Sequence, residues 1–298
     1  MTAGDWTRRD FFRFSAATGA VAIGGPALLS ACSEVEGGGT LDQLKKDGKI
    51  KAGIAVESPY GYKDASGKET GEAAEVGRAV FKAMGIGNVE FSFEDFDSLI
   101  QGLNAKKFDV VMAGMNIKKE RCENAAFSIP DYSALTAFLV KKGNPKGIRT
   151  YDDVKAKGAK LAVLSGAVEK GYATSSGVPE GQITTLPKQD DMLRSVIDGR
   201  VDCASLTDIS LKDLVKNNPN SDVDVTEGFD PVISGKKIVS AGAFVFRKDS
   251  NELREAFNKE LKTLHENGEW VKITAPFGFT AANLPKPDVT TDRLCSEG

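Results

Sequence analysis

The pattern of apolar and polar positions along the chain predicts alternating strands and helices. Between residues 50 and 114, short apolar runs are separated by segments in which apolar residues recur at helical spacing. The predicted elements are a strand at 50–56, a helix at 72–84, a strand at 89–93, a helix at 97–105 and a strand at 109–114. Four apolar residues share one face of the first of these helices: Val76, Ala79, Val80 and Ala83.

A polar segment rich in glycine and proline at 141–145 indicates a boundary, and a second series of elements follows it. This series comprises a helix at 151–157 with Gly158 as its stop, a strand at 160–164, a helix at 190–198, a strand at 201–206, a strand at 241–247 and a terminal helix at 252–267. Asp249 or Ser250 is the expected N-cap of the terminal helix, and Gly268 is its expected stop. The alternation predicts an α/β fold with mainly parallel sheets.

The N-terminus predicts a processed leader that is no part of this fold. Two arginines and two phenylalanines within 8–12 resemble a twin-arginine export signal. A mostly apolar run of about 14 residues follows at 16–29, and Leu-Ser-Ala-Cys at 29–32 matches the bacterial lipobox. We expect residues 1–32 to be a signal peptide, Cys32 to be lipidated, and 33–39 to be a flexible tether. A membrane-spanning anchor is the alternative, but a span needs roughly 20 apolar residues.

Composition excludes several classes of function. Somewhat over 260 residues remain after the leader, enough for two lobes of ordinary domain size. The formal charge of −3 is spread over interspersed acids and bases, so we expect no nucleic-acid partner. No second apolar segment is long enough to span a membrane.

The cysteines and the histidine limit the chemistry further. Cys122, Cys203 and Cys295 follow Cys32, which in an exported protein allows one disulfide and one leftover thiol. The chain has no CxxC pair and no Cys/His cluster, so we expect no metal and no cofactor. His265 is the single histidine, and its helical setting favours a partly exposed helix residue. We therefore expect no catalytic residues.

Several linked motifs resemble a known family. The stretch from Phe96 to Arg121 includes Ala-Gly-Met-Asn-Ile at 113–117 and Glu-Arg at 120–121, and Phe-Ser-Ile-Pro follows at 127–130. This order is similar to the signature of polar amino-acid-binding proteins of ABC importers, the family 3 solute-binding proteins. The likeness continues through Asp-Gly-Arg-Val-Asp at 198–202 and the terminal helix, so it covers nearly all of residues 40–298.

Within this family the chain looks most like the ectoine and hydroxyectoine-binding branch. The supporting segments are 57–60, 120–122, 141–145, 210–214, 276–279 and 294–295. The resemblance implies a two-lobed periplasmic-binding-protein fold of type II, with two crossovers between the lobes. Lobe 1 is expected at 40–139 plus 243–298, lobe 2 at 145–238, and the hinge crossovers at 140–144 and 239–242. The ligand is expected in the cleft, where a hinge motion closes the lobes over it.

The resemblance also assigns roles to residues of lobe 1. Arg121 matches the arginine that grips the ligand carboxylate, and Glu57 matches the glutamate that pairs with the amidinium of ectoine. Tyr60 and Phe96 match two aromatic positions that face this delocalised cation. The alternatives are an ordinary surface arginine, a solvated glutamate and, for Phe96, an anchor of the following helix.

The chain departs from the branch at several site positions. Gly114 and Asn116 are expected in the site, but Asn116 stands where the branch has a third aromatic residue. In lobe 2 the family's Gly-Thr-Thr anion cradle reads Gly166, Ala167 and Val168, whose backbone N–H groups can still bind a carboxylate. Thr207 aligns with the aspartate that usually holds an α-ammonium group, and Asp208 follows it. The loss of this aspartate argues against an ordinary α-amino acid.

The expected function is a lipoprotein on the extracytoplasmic face of the cell membrane that captures a small zwitterion, ectoine or hydroxyectoine, for an ABC permease and its ATPase. We expect a monomer that meets the membrane through its lipid anchor alone. The family topology also predicts a Cys122–Cys295 disulfide. The alternatives are a binding protein for a polar amino acid, a sensor that signals ligand occupancy, and a dehydratase of the same fold.

Overall fold

The apolar runs of the sequence form the strands of two separate larger sheets. The computed structural model describes residues 40–297. The expected signal peptide, the tether and the lipidation site Cys32 lie outside these residues. No helix in the described part is long and apolar enough to cross a membrane.

The described residues form fifteen strands. In chain order they are β1 (Lys49–Ile54), β2 (Tyr62–Lys63), β3 (Glu69–Thr70), β4 (Asn88–Phe93), β5 (Val110–Asn116), β6 (Ala126–Phe127), β7 (Tyr132–Ala134), β8 (Thr136–Lys141), β9 (Leu161–Leu164), β10 (Ile183–Leu186), β11 (Cys203–Thr207), β12 (Val223–Val225), β13 (Val232–Ile233), β14 (Lys236–Lys237) and β15 (Ser240–Phe246).

Eleven α-helices accompany the strands in the same part of the chain. They are α1 (Leu41–Asp47), α2 (Glu72–Ala83), α3 (Leu99–Asn104), α4 (Lys119–Cys122), α5 (Tyr151–Ala156), α6 (Glu169–Ser175), α7 (Gln189–Ile197), α8 (Asp208–Asn217), α9 (Asn251–Glu266), α10 (Glu269–Thr274) and α11 (Thr291–Glu297). Short 3-10 turns lie at Phe96–Ser98, Glu180–Gln182, Ala275–Phe277 and Ala281–Asn283.

Each larger sheet supports one lobe. The first sheet has the order β4-β1-β5-β15-β6, with β7 also paired to β15, and the second has the order β10-β9-β11-β8-β12. In the first sheet β4, β1 and β5 are parallel to one another and β15 is antiparallel to β5. In the second, β10, β9 and β11 are parallel and β8 is antiparallel to β11. Apolar clusters form on both sheets, and β5, β8, β9, β11 and β15 are nearly continuously buried, which explains their unbroken apolar runs.

The sequence-based elements are present, with their ends shifted by one or two residues. Gly158 and Gly268 follow the helices that they were expected to stop. The apolar face assigned to α2 was partly wrong, because Ala83 is exposed and Ala79 is half-buried. The buried side of this helix runs instead through Ala73, Val76, Gly77, Val80 and Phe81.

The sheets also locate the crossovers between the lobes. β8 starts at Thr136 and lies in the second sheet, although residues up to 139 were expected in lobe 1. β15 starts at Ser240 in the first sheet, within the expected return crossover at 239–242. The change of sheet therefore falls before Thr136 on the way out and before Ser240 on the way back. The remaining lobe boundaries stay a prediction.

A disulfide joins two distant parts of the first lobe. Cys122 at the end of α4 is bonded to Cys295 in α11, with Cα atoms 5.7 Å apart, as the sequence analysis expected. The third thiol, Cys203, is free and buried in β11, and burial raises its pKa. The described residues contain no cluster of His, Cys, Asp and Glu side chains suited to a metal ion.

Candidate functional site

The candidate site residues lie just past the ends of parallel strands, where open α/β sheets leave a crevice. β1 leads into the loop with Glu57 and Tyr60, and β5 ends at Asn116, shortly before Arg121 in α4. In the second sheet β9 leads to Gly166, and β11 ends at Thr207. Most of these side chains face one another across the cleft between the two sheets.

Arg121 spans the cleft and is almost completely buried, with 7% of its surface exposed. Its Nη1 donates to the Asn116 carbonyl at 2.7 Å, and its Nη2 donates to the Gly166 carbonyl of the other lobe at 2.7 Å. Burial lowers its pKa to about 10, against the effect of nearby acidic groups. The guanidinium therefore keeps its charge at neutral pH and offers N–H donors to an anion.

Glu57 provides a carboxyl group in the same cleft. It is 7% exposed, and its Oε1 accepts a hydrogen bond from Ser210 Oγ of the other lobe at 2.9 Å. Burial raises its pKa to about 7, although the bond from Ser210 and the charge of Arg121 oppose this shift. A cationic group placed beside Glu57 would favour its charged form.

Aromatic rings form the floor of the cleft. Tyr60 stacks on Tyr132 with ring centroids 5.1 Å apart, and its hydroxyl shares a 2.9 Å hydrogen bond with Thr207 Oγ1. The Tyr132 hydroxyl donates to the Gly114 carbonyl at 2.8 Å. Gly114 has φ of 57°, and a Cβ there would lie 2.4 Å from Tyr60 Cδ1. Glycine is therefore required at this position on two grounds, backbone conformation and space.

Phe96 contacts the arginine and is half-buried at the edge of the cleft. The Arg121 guanidinium carbon lies 5.3 Å from the centre of the Phe96 ring, a cation–π arrangement. Phe96 also packs against the core on one face of the first sheet. Phe96 therefore has both contacts that the sequence analysis considered: its ring contacts Arg121, and it packs against the core next to the following helix.

Asn116 faces the crossover between the lobes and lies in a polar network. Its Nδ2 donates to Ser240 Oγ at the start of β15, and the side chain is buried. The side chain of Ser240 also acts on Tyr172 of α6, where it opposes the increase in pKa that burial causes. Asn116 is thus buried with its amide bonded to the crossover, and its role in the site stays a prediction.

The four expected residues of the second lobe differ in what they contact. The Gly166 carbonyl accepts from Arg121, and Thr207 bonds to Tyr60. Ala167 packs against the core of the second sheet, and Val168 is buried as the N-cap of α6. The structure therefore brings Gly166 and Thr207 to the lobe 1 residues through direct contacts, and places Ala167 and Val168 beside them in the chain.

Asp208 is turned away from the cleft. Its Oδ1 accepts from the Leu135 backbone N–H at 3.2 Å, and its Oδ2 pairs with Lys212. The carboxylate is thus bonded to the crossover segment that precedes β8. It does not replace the acidic group whose position Thr207 occupies.

Glu169 is a buried acidic residue close to the candidate site in the chain, and the sequence analysis did not consider it. It begins α6 directly after Val168 and is 3% exposed. Burial raises its pKa to about 8; its own backbone N–H lowers it, Glu57 raises it further, and Arg121 and Lys118 lower it. The signal in the sequence was the acidic residue immediately after 166–168. Ser210, Tyr132, Tyr172 and Ser240 were also missed, because their roles depend on how the lobes meet.

The lobes are in direct contact around these groups. At the rim, Ser58 Oγ donates to Asp213 Oδ2 at 2.5 Å, and Gln189 Nε2 donates to the Ser58 carbonyl at 3.0 Å. At another edge, Ser165 Oγ donates to Asp97 Oδ2 at 2.8 Å. The site residues therefore contact one another in a closed cleft.

A separate cavity of about 630 Å³ lies beside the cleft. It is lined by α8, the crossover residues and the segment 277–289 of the first lobe, and neither Glu57 nor Arg121 contributes to it. The convergence of buried charged groups, and not the volume of this cavity, identifies the candidate site.

Comparison with known proteins agrees with the fold. A family model described as bacterial extracellular solute-binding proteins, family 3, matches residues 50–280. The chain belongs to this family. The expectations of the family and of a two-lobed binding-protein fold are thereby confirmed.

Individual relatives within family 3 are similar over most of their length. A probable amino-acid ABC transporter periplasmic-binding protein of Sinorhizobium fredii is 35% identical over 95% of both chains. The arginine-binding extracellular protein ArtP of Bacillus subtilis is 33% identical over 82% of this chain and 90% of its own. The crystal structure of EhuB in complex with hydroxyectoine superposes with a TM-score of 0.77 at 35% identity, covering 87% of this chain and 98% of that one.

These similarities establish the general role of this family 3 protein. It is the solute-binding protein of an amino-acid-type ABC importer. Family membership implies a small solute, a permease and an ATPase as partners, on the extracytoplasmic side. The two relatives are, by their names, binding proteins: one belongs to an amino-acid ABC transporter and the other binds arginine.

Proposed function

We propose that the protein captures a small solute carrying one carboxylate and one cationic nitrogen group, with ectoine or hydroxyectoine as the first candidates, and delivers it to the permease. The observation that carries this proposal is the burial of a guanidinium group and a carboxyl group, those of Arg121 and Glu57, in one closed cleft. Buried charges are stable only when paired or hydrogen-bonded, and a zwitterion can satisfy both at once. We also propose that a lipid on Cys32 holds the protein at the membrane.

Each end of such a solute has a partner. The Arg121 guanidinium can hold a carboxylate through two parallel hydrogen bonds. At the other end, Glu57 can accept from the cationic N–H groups, and Ser210 already orients its carboxyl group. Tyr60 and Phe96 add apolar surfaces, and Phe96 lies within cation–π distance of Arg121. The resemblance to EhuB in complex with hydroxyectoine supports this choice of candidate.

The contacts between the lobes link binding to closure. Arg121 contacts Gly166, Glu57 contacts Ser210, and Tyr60 contacts Thr207, each pair joining the first lobe to the second. A solute held by Arg121 and Glu57 therefore adds its own contacts to those that stabilise the closed arrangement. The permease can then recognise this arrangement by the relative position of the two lobes.

Calorimetry on matched variants tests the proposal. We expect ectoine or hydroxyectoine to bind the wild-type protein, and Arg121→Ala and Glu57→Gln each to weaken binding by a factor of about 30 to several thousand, since loss of one partner of a buried charged contact costs roughly 2–5 kcal/mol. Lys119→Ala and Glu120→Gln, exposed neighbours of Arg121 in α4, serve as controls and should bind like the wild type. Unchanged affinity in the Arg121 and Glu57 variants would refute the site. Absence of ectoine and hydroxyectoine binding to the wild type would refute these ligands.

A second candidate ligand is a basic amino acid. The observation that favours it is Glu169, a second buried carboxyl group, on whose pKa Arg121 and Glu57 both act. The similarity to ArtP, an arginine-binding protein, supports it. Arginine and lysine therefore belong in the same titration series.

A further inference from the structure

Asn116 is bonded to the crossover by which the chain returns to the first lobe. It is the last residue of β5, and its side-chain Nδ2 donates to the Oγ of Ser240, the first residue of β15. The two strands are paired here, with Asn116 opposite Gly242 and the Ile117 N–H donating to the Ala241 carbonyl at 2.9 Å. The exposed fractions of Asn116 and Ser240 are only 9% and 5%. A buried amide needs a hydrogen-bond partner, and Ser240 provides it.

Ser240 lies where the two crossovers meet. It pairs with Ala134 at the end of β7, and the chain enters the second sheet two residues later at Thr136. Ser240 also lines the cavity of about 630 Å³ beside the cleft, to which the charged site residues do not contribute. The hydroxyl group that holds Asn116 therefore belongs to the crossover region and lies outside the group of residues proposed to contact the solute.

The backbone of Asn116 orients the guanidinium of Arg121. The Asn116 carbonyl accepts from Nη1 at 2.7 Å, and the Gly166 carbonyl of the second lobe accepts from Nη2 at 2.7 Å. A guanidinium is planar with its N–H donors in fixed directions, so these two bonds determine where the remaining donors point. Hydrogen bonds weaken steeply when they are misaligned. The position of the Asn116 carbonyl therefore decides whether Arg121 is aligned for a carboxylate.

These bonds form one continuous path from the crossover to the second lobe. It runs from Ser240 to the Asn116 side chain, through the Asn116 backbone to Arg121, and on to Gly166. A rotation of the crossovers moves Ser240 and, through this path, the carbonyl that holds Arg121. Groups joined in one buried network act together, so removing either side chain of the first bond removes the same interaction.

We propose that Asn116 is a positioning residue and not a contact of the solute: held by Ser240, it aligns Arg121 for the carboxylate when the crossovers have the closed arrangement. This inference rests on the proposed capture of a carboxylate by Arg121. It gives Ser240, a residue of the crossover, as large a part in affinity as Asn116. A direct contact between Asn116 and the solute would instead make the affinity depend on Asn116 alone.

A double-mutant cycle separates these two roles. Asn116→Ala and Ser240→Ala should each weaken the binding of hydroxyectoine or arginine, used as probes in calorimetry, by about 3- to 10-fold, the usual effect of losing one hydrogen bond. The double variant should bind no more weakly than Asn116→Ala, because both substitutions remove one bond. Ser240→Thr keeps the hydroxyl and should restore most of the affinity lost in Ser240→Ala. Ser133→Ala is the control and should bind like the wild type, since Ser133 lines the same cavity and its hydroxyl has no partner among the described residues.

Nitrogen-15 NMR of the arginine side chains provides a readout that needs no solute. A guanidinium fixed by two carbonyls should rotate slowly and show separate Nη–H signals, which are identified as those of Arg121 by their absence in Arg121→Lys. Asn116→Ala and Ser240→Ala should merge or broaden these signals to the same extent, whereas Ser133→Ala should leave them unchanged. If thermal melting shows that Asn116→Ala is unfolded, Ser240→Ala and its rescue by Ser240→Thr decide the question.

The outcomes distinguish this inference from the proposed function. Weaker binding in Asn116→Ala with unchanged binding in Ser240→Ala would overturn the inference, because Asn116 would then contact the solute itself, and the capture of a zwitterion would stand. Unchanged Arg121 signals in Ser240→Ala would also overturn it. If the wild type binds neither probe, the proposed solutes are refuted, and the NMR signals alone decide the role of Asn116.

Discussion

The Cys122–Cys295 disulfide should contribute a large part of the stability of the first lobe. The two cysteines are 173 positions apart, so the bond closes a loop that contains the whole second lobe. The chain-entropy relation gives about 5 kcal/mol for a loop of this length, and removal of native disulfides usually costs about 2–5 kcal/mol. We therefore expect the double substitution Cys122→Ser and Cys295→Ser to lower the free energy of unfolding by about 2–5 kcal/mol.

Urea unfolding of a chain starting at Ser33 provides the assay. Trp270 is then the single tryptophan, it is fully buried in the first lobe, and its fluorescence reports the unfolding of that lobe. A reductant should lower the midpoint of the wild type to that of the double variant, and should leave the double variant unchanged. Loss of the disulfide should also change the ligand affinity, because the bond holds α4, in which Arg121 directly precedes Cys122.

Thiol counting under denaturing conditions tests directly whether the disulfide is present. The same chain contains Cys122, Cys203 and Cys295, so the intact bond leaves one reactive thiol, that of Cys203. Three reactive thiols in unreduced protein would contradict the bond. One thiol combined with an unchanged midpoint after reduction would contradict the argument that the bond stabilises the fold.

Three further predictions concern the floor of the cleft, its charges and the anchor. Gly114→Ala should lower the free energy of unfolding in urea by about 1–3 kcal/mol more than Gly48→Ala, because both glycines have positive φ but only a side chain at position 114 would clash with Tyr60. An equal decrease in the two variants would show that contact with Tyr60 is unimportant. Affinity for arginine should rise from about pH 6 to about pH 8 and then level off, because a cationic group bound beside Glu57 has to displace the proton from a carboxyl group whose pKa is about 7. Calorimetry in buffers of different ionisation enthalpy should detect this proton release, and an affinity that does not change with pH would contradict it. Cys32→Ser should release the protein from the membrane or leave it unprocessed, and unchanged membrane association on fractionation would exclude the lipid anchor.

The sequence predicted those parts of the fold that depend on local pattern. The strand at 109–114 and the helix at 252–267 were located within two residues, because apolar spacing and stop signals are local properties. Short elements such as β6 and β7 were missed, since a few residues carry no measurable period and their partner β15 is far away in the chain. The predicted face of α2 was wrong at Ala83 because spacing alone does not show which side of a helix meets the sheet.

The sequence could predict those candidate site residues that are part of a family motif. Arg121, Glu57 and Tyr60 came from family motifs, and the structure places all three in the cleft. Glu169 was missed because an acidic residue at a helix start is usually exposed, whereas this one is buried. Ser210 was missed because its bond to Glu57 joins two positions that are 153 residues apart in the chain.

The place of β15 in the first sheet has a consequence for how the chain folds. β15 lies between β5 and β6, but it is made after every strand of the second sheet. During synthesis the second sheet can be complete while the first still lacks an inner strand, and β5 then presents an unpaired edge to other chains. The first lobe, which carries Arg121, is therefore incomplete until β15 pairs with β5. Pairings between strands that are far apart in the chain form slowly.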